Sequence, residues 1–156
     1  MKKTWIICFA VMAFTITTFY AQSSYTGAVG LGIDFFEDVT FVGPSGKFFF
    51  DDNNVGQVDL GFEDNITALT MLYAYHKEFS GAPGLRWYAG IGPSLLFFSD
   101  DFGGDTEIAL RPHGGLEYKI NGAPLAISFD WRPFLGLGDL SNEVGAFGLG
   151  FRYVFH

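Results

Sequence analysis

Cysteine is almost missing from this chain. Its single copy, Cys8, lies in the first apolar run, so disulfides play no part in the fold. Basic residues are scarce as well, nine Lys and Arg against seventeen Asp and Glu, for a formal net charge of −8. Nucleic acids and anionic phosphate surfaces are therefore not expected as partners. Beyond residue 21 there is no long apolar run and no helical period of useful length, so no spanning or core helix is expected there. What is abundant is glycine (21) and phenylalanine (19), with 19% aromatic residues overall. A soluble domain usually spends less on Phe and more on charge.

The first residues, MKKTWIICFAVMAFTITTFYAQSS, have a basic start at Lys2 and Lys3, an apolar core from Trp5 to about Phe14, and a small residue at Ala21. This pattern reads as a secretory signal peptide over 1–21, cut after Ala21, followed by one domain over 22–156. A membrane anchor is the alternative, but the core is short for a spanning helix and threonines interrupt its second half. Cys8 lacks the small residues that precede a lipidated cysteine. With the leader gone, seven basic residues face seventeen acidic ones, a formal charge of −10.

The rest of the chain alternates with period two. Strands are expected at about 25–36, 44–51, 55–63, 66–78, 85–98, 106–120, 124–133 and 144–155. DDNN (51–54), SGAPG (80–84) and NGAP (121–124) read as short turns. EDVTFVGPS (37–45), SDDFGGD (99–105) and LGLGDLSNE (135–143) read as longer, acidic loops, with the short EDN (63–65) as an exception. Short connections at one end and longer ones at the other describe an all-β, eight-stranded antiparallel up-and-down barrel.

Volume decides which face points out. Roughly thirty large apolar side chains share one face, among them Val29, Leu31, Phe48, Val58, Met71, Ile91, Leu116, Phe129 and Phe151. An eight-stranded barrel has an interior only just wide enough for its own side chains. The other face carries Ala28, Gly30, Gly32, Gly61, Gly90, Gly115, Gly148 and Gly150, which suit a narrow interior. The apolar face is thus expected to meet lipid, making a transmembrane β-barrel. Tyr75, Trp87, Tyr118, Tyr153 and Phe155 fall at the short-turn ends, and Phe35, Phe97, Trp131 and Phe147 toward the loop ends. Two such bands are expected at two membrane interfaces.

The stretches LRWYAGIGPSLLFF (85–98), GGLEYKI (114–120), ISFDWRPF (127–134) and GAFGLGFRYVF (145–155) resemble the small outer-membrane β-barrel proteins of Gram-negative bacteria, the OmpA-like and OmpX-like class. The resemblance covers most of the mature chain. It implies an outer-membrane location, contact with outer-membrane lipid, and a terminal strand (Phe151, Tyr153, Phe155) recognised by the barrel assembly machinery. His156 departs from the pattern, because an aromatic usually ends such chains.

The inward positions are charged: Asp34, Lys47, Asp59, Glu63, His76, Glu78, Arg86, Glu107, Arg111, His113, Glu117, Lys119, Asp130, Arg132 and Arg152. Six of the seven mature basic residues share this face. Buried charges must pair, so the expectation is an internal salt-bridge network in a monomer with little or no conductance, since aqueous channels need about sixteen strands. A structural or surface-interaction role follows, with no cofactor. A lipid-modifying enzyme and a narrow channel are the alternatives, and a soluble ligand-binding barrel is disfavoured by volume. His113, Asp130 and Ser128 are the candidates for catalysis. A register about NGAP, however, sets His113 opposite Arg132 and Ser128 opposite Glu117, out of reach of one another. Asp100, Asp101 and Asp105 could attract a hard cation, but they lack calcium-loop spacing and read as a solvated loop.

Pro93, Pro112 and Pro133 lie in expected strands, where each removes a ladder donor. A symmetric hairpin about 99–106 pairs Pro93 with Pro112, so that both missing donors share one gap between the fifth and sixth strands.

Overall fold

The structure, a computed structural model, describes residues 25–99, 105–138 and 140–156. The leader and Cys8 lie outside the described residues, as do Asp100 and Asp101. Among the described residues there are nine strands: β1 Gly27–Phe35, β2 Thr40–Phe49, β3 Asn54–Glu63, β4 Ile66–Glu78, β5 Leu85–Phe98, β6 Thr106–Lys119, β7 Leu125–Trp131, β8 Leu135–Leu137 and β9 Phe147–Phe155. Each of β1 to β6 pairs antiparallel with the next, and β9 pairs with both β7 and β1. The sheet is therefore closed. β7 and β8 pair with β6 in the same register, Gly114↔Trp131 below and Leu110↔Leu135 above. They are two parts of one stave. The architecture is an all-β, eight-staved up-and-down barrel.

The segments 66–78 and 85–98 form strands over those same residues. Others differ. β2 begins at Thr40, so 37–45 is not a long loop; Phe36 N donates to Val39 O at 2.8 Å and closes the turn at once. GPS looked like a turn, but Gly43 and Pro44 sit mid-strand at a break in pairing with β3, which jumps from Val42↔Phe62 to Ser45↔Asp59. The missing Pro44 donor falls in that break. The seventh stave stops being regular at Trp131, and the last strand begins at Phe147 rather than 144.

The proline pairing is also corrected. Pro93 lies opposite Leu110 and Pro112 opposite Ile91, in a ladder continuous from Leu85↔Tyr118 to Phe97↔Thr106. Pro93 instead sits at a gap toward β4, between Thr70↔Ser94 and Tyr73↔Ile91. The register shared by β7 and β8 places Pro112 opposite Pro133, so a shared gap does exist, one stave further round.

Burial follows the strand alternation. In β7, Ala126, Ser128 and Asp130 are buried while Leu125, Ile127, Phe129 and Trp131 are exposed. Large apolar side chains are exposed on every strand, from Val29 on β1 to Phe155 on β9. Trp87 packs beside Tyr75 near the short-turn end, and Trp131 lies on the outer face toward the loop end. Inside, two apolar clusters occupy the two ends. Tyr25, Phe49, Val55 and Val154 fill the short-turn end, and Phe41, Leu96, Ala109 and Phe134, with Phe36 and Leu140 against them, fill the loop end.

Candidate functional site

The interior between those clusters holds the buried charge in two layers. The loop-side layer centres on Arg132, just past β7. Its Nη1 donates to Asp34 Oδ1 at 3.0 Å and to Asp59 Oδ2 at 2.8 Å. Its Nη2 donates to Asp130 Oδ2 at 2.8 Å, and its Nε to Asp130 Oδ1. Arg111 Nη1 donates to Asp34 Oδ2 at 2.6 Å. Arg152 donates from Nε to Ser45 Oγ and from Nη1 to Ser128 Oγ, both at 2.8 Å, and its Nη2 lies 3.8 Å from Asp59. Asp59 further accepts from Ser45 and from Gln57 Nε2. Three arginines thus meet three aspartates, and the layer is neutral.

The turn-side layer centres on Glu117. Lys47 Nζ lies 2.6 Å from its Oε2, the Tyr25 hydroxyl donates to its Oε1, and His76 Nδ1 stands 3.9 Å away. Tyr88 joins the layers. Its hydroxyl donates to Asp130, Lys47 Nζ sits 4.6 Å from its ring centre, and His76 stacks on it at 4.6 Å. Buried charges of this kind survive only when paired and hydrogen-bonded.

Glycine makes room for the long side chains. A Cβ at Gly148 would meet the Arg132 guanidinium, and one at Gly150 would meet Arg152 and Ser128. The inward glycines of β9 are the space that two arginines occupy.

Of the fifteen inward charges expected from the sequence, Asp34, Lys47, Asp59, His76, Arg111, Glu117, Asp130, Arg132 and Arg152 converge in these two layers. Arg86 and Glu78 pair at 3.0 Å at the short-turn end, with Arg86 also over the rings of Phe49 and Tyr25. Lys119 is buried at that same end. Glu63 and Glu107 stand half-buried near the loop end, outside both layers. His113 lies against Tyr88, 5.7 Å between ring centres, and neither of its ring nitrogens has a hydrogen-bond partner among the described residues. Ser128 lies opposite Glu117, the register expected about NGAP. Its hydroxyl is held by Arg152 and not by His113.

Sequence reasoning missed Tyr25, Ser45, Gln57 and Tyr88. Strand parity alone puts Ser45, Gln57 and Tyr88 on the inward face. Tyr25 falls in the expected first strand, where parity with Val29 and Leu31 turns it outward; in the structure it precedes β1 and is buried. It also missed the two apolar end clusters. A cavity of about 10 Å³ beside Asp34, Asp59 and Thr70 has room for about one water.

No protein-family model matches the chain, and no curated protein is detectably similar to it.

Proposed function

We propose that this chain is a small outer-membrane β-barrel of the OmpA-like and OmpX-like kind, with a lumen closed by its own charges and a structural or surface-interaction role. One observation carries the reading: burial is inverted. Charged side chains fill the interior of a closed barrel, while large apolar side chains cover the outside of every strand. In water that surface would far exceed the apolar patches a soluble monomer tolerates. In a bilayer it is the surface that spans. The aromatics near both ends of the outer face suit the two interfaces.

Two further features support a closed lumen. Arginine and aspartate side chains cross-link staves that are not neighbours, and apolar clusters cap the charged interior at its two ends. No continuous water path is expected past them, so purified protein is expected to give no step-like single-channel currents. The exposed outer row of β9, with Phe151, Tyr153 and Phe155, is the segment we assign to the assembly machinery. Lipid is the partner of the outer face, and the protein acts as a monomer without a cofactor.

Membrane fractionation tests the location, and gel mobility with and without boiling tests the folded barrel. The expected result is recovery in the outer membrane with a heat-dependent shift. Recovery in the soluble periplasm would overturn the reading and turn the apolar face into a question again.

A further inference from the structure

The wall is bonded unevenly around its circumference. The seam between β1 and β9 runs through nine successive residue pairs, from Gly27↔Phe155 to Phe35↔Phe147. On the β5 side of β6 the ladder is continuous. On its other side pairing stops at Gly114↔Trp131 and resumes at Leu110↔Leu135. Between them Pro112 faces Pro133. Neither has an amide hydrogen, so two carbonyls meet with no donor.

Above the break the chain finds other partners. Arg132 N donates to Ala146 O at 3.0 Å, and Phe134 and Glu143 exchange bonds of 2.7 and 2.8 Å. Trp131 Nε1 donates to Val144 O at 2.8 Å, and Gly136 N to Asn142 Oδ1 at 3.0 Å. The Arg132 carbonyl accepts from Arg111 Nη2 at 3.1 Å. The upper part of the stave is thus a hairpin bonded mainly to itself. Among the described residues, three ladder pairs attach it to β6, together with the burial of Phe134 and Leu140 in the loop-end cluster.

We propose that this hairpin, residues 134–138 with 140–145, is a flap that hinges at Pro133 and lifts from β6 while the remaining staves stay closed. Opening breaks few bonds, because the proline pair has already removed those nearest the hinge. It withdraws Phe134 and Leu140 from the mouth and uncovers the Arg111–Asp34–Arg132 cluster from the loop side. Local openings of this kind lie far below the global unfolding free energy.

Hydrogen exchange read by mass spectrometry, on the mature chain folded in detergent micelles, tests the flap. The amides of Leu135 and Leu137 and of the facing Ile108 and Leu110 are expected to exchange at least about tenfold faster than those of 33–35 and 147–149 at the same end. Equal protection would overturn the proposal. Pro133→Thr restores a donor opposite Pro112 and is expected to slow exchange on both sides of the break. The mature chain has no cysteine, so Ile108→Cys with Leu137→Cys, a facing pair, can lock the flap as a disulfide. Oxidation then brings 135–137 to the protection of the β1–β9 seam, and reduction releases it. Unchanged exchange in the oxidised form would show that the flap does not lift as a unit and would overturn the hinge, even where Pro133→Thr fails to fold.

Discussion

The two buried layers solve the same problem with opposite hubs. In the loop-side layer one arginine serves three aspartates. In the turn-side layer one glutamate serves a lysine and a phenol, with a histidine close by. A guanidinium offers five donors in a fixed plane, so Arg132 reaches Asp34 on β1, Asp59 on β3 and its own strand neighbour Asp130. A carboxylate has two oxygens, and Glu117 spends one on Lys47 and one on Tyr25. The arginine hub therefore crosses the barrel, whereas the glutamate hub secures mainly the β2 and N-terminal side of the short-turn end.

The largest expected effect breaks the arginine hub. Arg132→Leu leaves Asp130 without its cation and Asp59 with Arg152 alone at 3.8 Å. A loss of about 3–5 kcal/mol is expected in urea unfolding from micelles. The turn-side hub is next. Glu117→Gln strands Lys47 and costs about 3 kcal/mol. Lys47→Met combined with Glu117→Leu removes both charges and recovers most of that loss, a non-additivity that a double-mutant cycle measures. Tyr88→Phe cuts the link between layers. It removes one hydrogen bond to a charged acceptor and costs about 1.5–3 kcal/mol, and coupling between the Arg132 and Glu117 variants falls with it.

The smallest effect lies outside both layers. Asp51, in the exposed turn between β2 and β3, accepts from the Asn54 side chain and from the amides of Asn53 and Asn54. These bonds hold its carboxyl below the ordinary aspartate value. Its contribution is fully present above the unfolded pKa of about 3.9 and is lost as pH falls through the lower folded value. Asp51→Ala is expected to shift the neutral-pH unfolding midpoint least of all and to flatten stability against pH only below that point.

The barrel was legible because strand parity is simple arithmetic. Once Leu125, Ile127 and Phe129 are placed outside, Ser128 and Asp130 must be inside. The NGAP turn is short, and Gly122 takes the positive φ (79°) such a turn needs, so the β6–β7 register followed from the sequence. The connection at 99–105 is longer and does not fix register. The β5–β6 pairing differs by two residues from a symmetric hairpin, and the proline pairing went wrong with it. The layers were only half legible. Which residues face inward could be read, but Arg132 and Asp34 are separated by 98 positions, and no spacing encodes that contact. Phe41 and Phe134 have the same chemistry as the outer aromatics, so composition could not mark them as end caps.

The placement of tryptophan has a spectroscopic consequence. The chain has three, and Trp5 falls in the stretch expected to be cut away as a leader. The two that remain, Trp87 and Trp131, sit on the outside of the barrel at opposite heights, and neither touches the charged core. Intrinsic fluorescence will therefore report the medium around the barrel rather than the packing within it. Quenchers fixed at different depths would read the two indoles as separate rulers. Replacing either one with Phe leaves a single-site probe whose emission would mark how deep that rim sits in the proposed bilayer.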